Sequence, residues 1–145
     1  MSKFANGFFQ VKNPEKYVGK GNPKYRSSWE FAVMTMCDNN PAILQWASEA
    51  IRVNYRNPFT NKQTIYVPDF FVMYQDANGA THGEIWEVKP QRETTLEAAG
   101  RSKHAQAAAI LNMAKWQACR AYCAANKLHF RILTENELFH MGAKK

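Results

Sequence analysis

Residues 64–90 read TIYVPDFFVMYQDANGATHGEIWEVKP, and this stretch decides the predicted fold. Residues 64–75 alternate as a long β-strand does, and residues 83–89 form a second strand. Between them, Asp76-Ala77-Asn78-Gly79 is a strong hairpin turn. Pro68 removes a ladder donor from the first strand, which predicts an edge position, a bend or a bulge there. The stretch therefore predicts an antiparallel pair of strands.

A helix and one further strand are predicted before this pair. Ser27-Ser28-Trp29-Glu30 is a capping-box pattern, which predicts a helix from Ser28 to Asp38. The segment from Ile51 to Tyr55 alternates and stops at a turn, so it is predicted to be the first of three antiparallel strands. We interpret the stretch around Trp46 as a connection between the helix and this strand.

The region after the pair predicts a loop, a helix and a last strand. Residues 91–102 are polar and resemble a mobile loop. Residues 103–126 are rich in alanine and predict a helix about 36 Å long at roughly 1.5 Å per residue, enough to cross a sheet. Residues 129–133 predict a short strand, and residues 135–139 a terminal turn. The order α-β-β-β-α-β indicates an α+β or mixed α/β domain with helices covering a small sheet.

The composition limits the class of protein. A chain of 145 residues with 46% hydrophobic residues is typical of one folded domain. No apolar run of about 18 residues and no signal-peptide pattern occurs, so we expect a soluble protein without a membrane partner. Cys37, Cys119 and Cys123 lack metal-binding spacing and are predicted to be reduced core residues. The net charge of +7 favours a polyanionic partner, but charge alone does not separate nucleic acid from an acidic membrane or a solvated basic surface.

Residues 1–26 are predicted to form an extended basic arm, and residues 27–145 a single domain. The arm holds several glycines and prolines and has no apolar period. Six basic residues against one acidic residue give it a net charge of +5. Its five aromatic residues are too many for a free tail, so parts of the arm are expected to pack on the domain or on a partner.

Three polar residues of the predicted strands can form a site. Glu87 and Lys89 are two residues apart, so they project from the same face of the sheet. The hairpin brings Asp69 of the neighbouring strand towards them. Hard cations such as Mg²⁺ prefer oxygen ligands, so Asp69, Glu87 and a nearby backbone carbonyl make a plausible cradle. The lysine is suited to hold an attacking water or to stabilise negative charge on a phosphate.

Each of these residues also has an ordinary structural explanation. An aspartate after a proline, such as Asp69, is often only a turn residue. Glu87 and Lys89 together can be a solvated ion pair, which contributes up to about 1 kcal/mol. The capping box explains Glu30 completely. Both interpretations stay open for single residues, although their combination on adjacent strands favours a site.

The spacing of these blocks resembles a known nuclease signature. Pro68-Asp69 followed by Glu87-Val88-Lys89 looks like the signature of the PD-(D/E)XK nucleases, whose restriction-endonuclease-like core has a similar order of elements. Residues 11–138 further resemble the head completion nucleases of tailed bacteriophages. Four blocks in the right order carry that likeness: Tyr25-Arg26-Ser27-Ser28-Trp29-Glu30, Pro68-Asp69-Phe70, Glu87-Val88-Lys89-Pro90 and Asn112-Met113-Ala114-Lys115-Trp116.

The resemblance implies a metal-dependent endonuclease that hydrolyses phosphodiester bonds in double-stranded DNA during head completion or DNA-end processing. It implies that Glu30, Asp69, Glu87 and Lys89 are the catalytic residues, with Glu30 as an accessory carboxylate. The expected cofactor is Mg²⁺, with Mn²⁺ as a substitute. Its implied ligands are Asp69, Glu87, the Val88 carbonyl and Glu30.

Basic residues are the candidates for contacts with DNA. Lys20, Lys24 and Arg26 belong to the arm, whose charge suits backbone contacts that do not depend on sequence. Arg92 lies in the loop after the third strand, and Lys115 lies on the long helix. Lys115 is explained equally well as a surface lysine whose stem covers apolar neighbours.

The sequence is also compatible with a second function, that of a structural or binding protein and not of an enzyme. The chain can be a structural head-to-tail connector or a DNA-end-binding virion protein that retains the nuclease fold. In that case the arm would grip phage head, portal or neck proteins, or DNA. Either function implies that the protein is present in the host cytoplasm during assembly, or in the virion.

Overall fold

The computed structural model describes residues 6–138, and their mixed α/β architecture confirms the predicted fold class. The elements are β1 (Gly7–Phe8), β2 (Lys24–Tyr25), α1 (Ser28–Asn39), β3 (Ile43–Ser48), β4 (Val53–Arg56), β5 (Gln63–Tyr66), β6 (Phe70–Gln75), β7 (Thr81–Val88), α2 (Leu96–Ala99), α3 (Lys103–Ala125), β8 (His129–Leu133) and α4 (Glu135–Leu138). A short 3₁₀ helix, Gln91–Glu93, lies between β7 and α2.

The central sheet has four strands in the order β3-β6-β7-β8. The β3–β6 and β6–β7 pairs are antiparallel, and β8 is parallel to β7. The predicted hairpin is β6–β7, whose turn places Gly79 at a φ of 84°, a conformation that favours glycine. The helix α3 makes the crossover from β7 to the parallel strand β8. The core elements therefore follow the predicted α-β-β-β-α-β order, as α1, β3, β6, β7, α3 and β8.

The assignment of the first core strand was wrong. The stretch around Trp46, interpreted as a connection, is the edge strand β3 of the central sheet. A register shift between Ile43 and Gln45 interrupts the alternation of buried residues, so the strand has no clear period in sequence. The predicted strand from Ile51 to Tyr55 corresponds to β4, which forms a separate two-stranded sheet with β5.

The long strand predicted over residues 64–75 was wrong as well. It is two strands, β5 and β6, which belong to different sheets. The break falls at Val67-Pro68-Asp69, where Pro68 has no N–H for a ladder and its side chain is fully buried. The predicted bend at the proline is therefore present, but it redirects the whole chain.

The loop predicted over residues 91–102 contains regular structure that the sequence did not indicate. It holds the 3₁₀ helix and α2, which Thr95 caps by accepting a hydrogen bond from the Ala98 N–H at 3.0 Å. The side-chain amide of Asn112 on α3 donates to the Glu93 carbonyl at 3.1 Å. These contacts attach a polar segment to the domain. The predicted terminal turn corresponds to α4 as far as residue 138, and Phe139 lies outside the described residues.

Helices cover both faces of the central sheet. On one face, α1 packs against Trp46, Phe70 and Trp86. On the other, Trp116 of α3 packs with Ile85 and with the β4–β5 hairpin. Because side chains alternate along β7, Trp86 and Val88 face α1, whereas Ile85 and Glu87 face α3.

Residues 6–26 lie against the domain. Phe9 is buried and makes edge-to-face contacts with Phe31 and Trp46. The backbone N–H of Val18 donates to the Trp46 carbonyl at 2.9 Å, so this segment covers the open edge of β3. Asp38 of α1 accepts a hydrogen bond from the Lys12 N–H at 2.8 Å. The rings of Phe9, Tyr17 and Tyr25 therefore pack on the domain, whereas Phe8 is exposed. The division of the chain at residue 26 stays a prediction.

The three cysteines are buried and free, as expected of core residues. Burial raises the pKa of the Cys37 thiol to about 12. Within residues 6–138, no helix has the length and apolar character needed to cross a membrane.

Candidate active site

Asp69 and Glu87 meet where β6 begins and β7 ends. The register pairs Phe70 with Trp86, which places Asp69 opposite Glu87. The Val88 N–H donates to Oδ2 of Asp69 at 2.8 Å, and the Asp69 N–H donates to Oε1 of Glu87 at 3.3 Å. These two hydrogen bonds hold the Asp69 and Glu87 carboxylates near each other at the end of the hairpin.

Burial and mutual repulsion govern the charge state of this pair. Glu87 is only 4% exposed. Burial, followed by the nearby Glu87 and Glu30 carboxylates, raises the pKa of Asp69 well above its usual range. Burial also raises the pKa of Glu87, against the opposing influence of Tyr66 and Lys89. Two acidic groups thus share a poorly solvated place, where a cation would relieve their repulsion.

Glu30 approaches this pair from the first turn of α1. Its backbone N–H donates to the Ser27 hydroxyl at 3.1 Å, which is the predicted N-cap. Its carboxylate accepts from the Arg26 N–H at 3.2 Å, one residue before the cap. Burial raises the pKa of Glu30, and Arg26 and Lys89 oppose that shift. The serine cap is therefore confirmed, whereas the Glu30 carboxylate bonds one residue before the cap and lies within the electrostatic field of the site.

Lys89 lies beside all three carboxylates. Its positive charge opposes the pKa rise of Glu30, Asp69 and Glu87. It also lines an open cavity of about 410 Å³, together with Ser27, Trp29, Glu30, Val88, Pro90, Arg92, Glu93 and Glu135. A substrate entering this cavity would therefore contact the lysine.

The candidate DNA contacts fall in three different places. Arg92 is exposed and lines the same cavity as Lys89. Lys20 and Lys24 are exposed on the N-terminal segment and do not line that cavity. Arg26 is also exposed, and its guanidinium forms an ion pair with Glu49.

Lys115 lies nearer to the carboxylates than the sequence indicated. Burial and the neighbouring Lys89 lower its pKa, whereas Glu87 and Asp69 oppose that shift. Its Nζ lies 5.7 Å from the centre of the Tyr66 ring. Lys115 is therefore placed beneath the acidic pair on the α3 face and is partly buried.

Two residues near the site were missed by the sequence analysis. The Tyr66 hydroxyl is buried near the Glu87 carboxylate, but the two make no hydrogen bond. The Glu49 N–H donates to the Asp69 carbonyl at 2.9 Å, and Glu49 has a φ of 52°, which is uncommon for a residue other than glycine. The position of Tyr66 three residues before Asp69 could have indicated that it lies near the site. That inference required the strand to be divided at Pro68.

The donor set suits a divalent metal ion. Carboxylate and carbonyl oxygens are the ligands that Mg²⁺ prefers. A bound cation would also relieve the repulsion between Asp69 and Glu87. Over residues 6–138, no cluster of three or more His, Cys, Asp or Glu side chains has a metal-binding arrangement. The Glu30 carboxylate, held by the Arg26 N–H, thus does not complete a three-carboxylate cluster with the acidic pair. Backbone oxygen and water would supply the remaining ligands.

Comparison with known proteins gives two matches. A family model described as the TnsA-like endonuclease N terminal matches residues 40–135. That range runs from β3 to α4 and includes Asp69, Glu87 and Lys89. The head completion nuclease of Enterobacteria phage T4 is 31% identical over 151 residues, covering 96% of this chain and 97% of the relative. The likeness therefore extends over the N-terminal segment and Glu30 as well.

Proposed function

The chain belongs to the TnsA-like endonuclease family, and from this premise we propose that it is an endonuclease that hydrolyses phosphodiester bonds in double-stranded DNA during completion of a phage head. The near full-length likeness to the phage T4 protein supports the role in head completion. The observation that carries the chemistry is the pair of hydrogen bonds that holds Asp69 beside Glu87 at the end of the sheet. The host cytoplasm during assembly, and the virion, are the places proposed for this activity.

The acidic pair is proposed to hold the metal ion. Asp69 and Glu87, with the Val88 carbonyl, would be its protein ligands, and Mg²⁺ fits their oxygen donors, with Mn²⁺ as a substitute. The bound ion would neutralise phosphate charge and lower the pKa of a coordinated water. Glu30 is proposed to act from the edge of the site, since Arg26 holds its carboxylate.

The lysines are proposed to have separate roles. Lys89 lines the cavity and would donate to the phosphate or to the attacking water. As the oxygen of water bonds to phosphorus, the bond from phosphorus to the leaving sugar oxygen breaks, and negative charge builds on the phosphate. The Lys89 ammonium is proposed to stabilise that charge. Lys115, behind Glu87, would instead keep the buried carboxylate ionised.

Incubation of the pure protein with supercoiled and linear DNA tests this function. We expect nicking or linearisation with Mg²⁺ or Mn²⁺ and no product with a chelator. Cleavage that persists in chelator would remove the metal from the mechanism. Binding of DNA without cleavage under every metal condition would favour the alternative function, a structural connector or DNA-end-binding virion protein.

The metal-free protein is expected to lose stability as the pH rises above the ordinary carboxyl range. Asp69, Glu87 and Glu30 have raised pKa values in the folded state, so the fold binds their protons more tightly than the unfolded chain does. This contribution is complete below the ordinary carboxyl pKa and is lost as the pH passes the raised values. Thermal unfolding in chelator would measure it. The Asp69→Asn variant should show a shallower decline, and Mg²⁺ should stabilise the wild type more at pH 8 than at pH 5. Equal slopes for the two proteins would contradict the buried acidic pair.

Lys20 and Lys24 are expected to contribute electrostatic affinity for DNA. Each neutralised phosphate contact contributes about −0.9 to the slope of log K against log salt. Lys20→Gln/Lys24→Gln should therefore reduce the slope by up to about 1.8. Deletion of the segment is a poorer test, because Phe9 belongs to the core and residues 16–18 cover β3.

A matched control is Arg101→Gln/Lys103→Gln, which removes two exposed charges at the start of α3. We expect this control to bind with nearly the wild-type slope. If the Lys20/Lys24 double variant kept the wild-type slope but failed to complete heads, the N-terminal segment would dock on a virion protein instead.

A further inference from the structure

The β4–β5 hairpin has one face on the domain and one face open. Val53, Tyr55 and Tyr66 pack with Trp116 and Cys119 of α3. The register pairs Asn54 with Ile65 and Arg56 with Gln63, so these four side chains share the opposite face. All four are exposed. We call them, with Arg52 two residues before Asn54, the outer face.

The chemistry of the outer face suits nucleic acid. From residue 50 to residue 68 the chain contains Arg52, Arg56 and Lys62 and no aspartate or glutamate. Arginine, asparagine and glutamine are the side chains that read base edges, and a two-stranded ribbon fits the major groove of DNA. Ile65 is 48% exposed beside them and offers an apolar contact for a thymine methyl group. The charge of this hairpin therefore complements a polyanion.

The tip of the hairpin is held rigid by its own hydrogen bonds. Oδ1 of Asn57 accepts from the Phe59 N–H at 2.8 Å and from the Thr60 N–H at 3.3 Å. The Arg56 guanidinium donates to the Asn61 carbonyl at 2.8 Å. On this turn Phe59 is 58% exposed. An aromatic side chain presented on a fixed turn loses little freedom on binding, so it is suited to contact a partner.

The hairpin leads directly into the site. Its last residue, Tyr66, is buried, and Asp69, whose N–H donates to the Glu87 carboxylate at 3.3 Å, follows three residues later. We propose that the outer face of the β4–β5 hairpin docks in a groove of duplex DNA beside the bond that is cut. Arg52 of this face and Lys62, which lies beside the turn just before β5, contact phosphates, and Phe59 makes an apolar contact at the tip. This inference rests on the proposed function as an endonuclease that acts on DNA.

The test uses Arg52→Gln/Lys62→Gln, which leaves the Arg56 contacts at the tip intact. Binding to duplex DNA is measured in chelator against salt concentration. The double variant is expected to lower the slope of log K against log salt by about 1.8. The control Arg101→Gln/Lys103→Gln has the same net charge and should retain nearly the wild-type slope. A hairpin variant that matches the control would overturn the proposal.

Phe59→Ser gives an independent arm of the test. It should weaken duplex binding by about tenfold, the size expected when one aromatic side chain no longer buries its apolar surface. The salt slope and the thermal midpoint should not change, because Phe59 is exposed and uncharged. Unchanged affinity would remove the tip contact from the proposal.

The two failures are distinguishable. If the wild type cuts DNA with Mg²⁺ or Mn²⁺ while the hairpin variants bind duplex normally, only the hairpin inference fails. If the wild type neither binds nor cuts DNA, the proposed function fails. If the hairpin variants lost as much affinity for single-stranded DNA of the same length as for duplex, groove docking would also be overturned. The hairpin would then bind the backbone of one strand and would not need a groove.

Discussion

Asp69→Asn is expected to abolish DNA cleavage while making the metal-free protein more stable. The substitution removes one proposed metal ligand, and the lost charge stabilisation is several kcal/mol, so the rate should fall by about a thousandfold or more. Asparagine keeps a carbonyl oxygen that can accept from the Val88 N–H, the contact that Asp69 makes at 2.8 Å. It also ends the repulsion with Glu87, which should raise the free energy of unfolding by about 1 kcal/mol at neutral pH. Cleavage assays and thermal unfolding in chelator would measure the two effects.

Asp76→Asn is the matched control for this prediction. Asp76 lies in the β6–β7 turn, accepts hydrogen bonds from the Asn78 and Ala80 N–H groups and pairs with His82. These contacts lower the pKa of Asp76, so the same substitution should destabilise the fold there. Cleavage should persist in the control. An Asp69→Asn protein that is both active and less stable than wild type would contradict the proposed site.

The opposite stability effects expected for Asp69→Asn and Asp76→Asn follow from the different surroundings of the two carboxylates. A structural carboxylate is placed where N–H groups and a basic partner favour its charge, as Asp76 is. Asp69 is placed where burial and other acids oppose its charge. Such an arrangement lowers the stability of the metal-free protein. A bound cation would neutralise the buried carboxylates, which explains why acidic residues occupy these positions.

The part of the site that could be predicted from sequence is the part made by one tight turn. Asp76-Ala77-Asn78-Gly79 determines the β6–β7 register, and that register brings Asp69 opposite Glu87 without information from elsewhere in the chain. The capping serine of α1 was equally local, since Ser27 and Glu30 are three residues apart. Local turn and cap chemistry was therefore sufficient for both.

The remaining neighbours of the site depend on packing between distant segments. Lys115 reaches Glu87 only because α3 crosses the face of the sheet on which Glu87 projects. Tyr66 reaches it because Pro68 redirects the chain between two sheets. Sequence periodicity describes one element at a time, so it indicated neither approach. The bulge that interrupts the alternation of β3 could not be predicted either, because the register of that strand is set by its partner β6.

Lys89→Ala is expected to reduce cleavage by about a hundredfold to a thousandfold, the usual effect of removing one preorganised donor to a developing negative charge. Binding of DNA should change little, because a single lysine contributes little to affinity in a chain with a net charge of +7. The loss should therefore fall on kcat, with KM nearly unchanged. Single-turnover cleavage and binding in chelator would separate the two.

Lys115→Ala and Lys89→Arg make that result specific. Lys89 lines the cavity beside Glu30, whereas Lys115 lies partly buried beneath Glu87. Lys115→Ala should act through Glu87 and change metal stabilisation and cleavage together. Lys89→Ala also removes a charge that acts on the carboxylates, but it should lower cleavage far more than it changes metal stabilisation. Lys89→Arg retains the charge but not the compact ammonium, so it should recover part of the activity. If Lys89→Ala cut at the wild-type rate, the lysine would have no part in the chemistry, and if binding and cleavage fell together, Lys89 would be a docking residue for DNA.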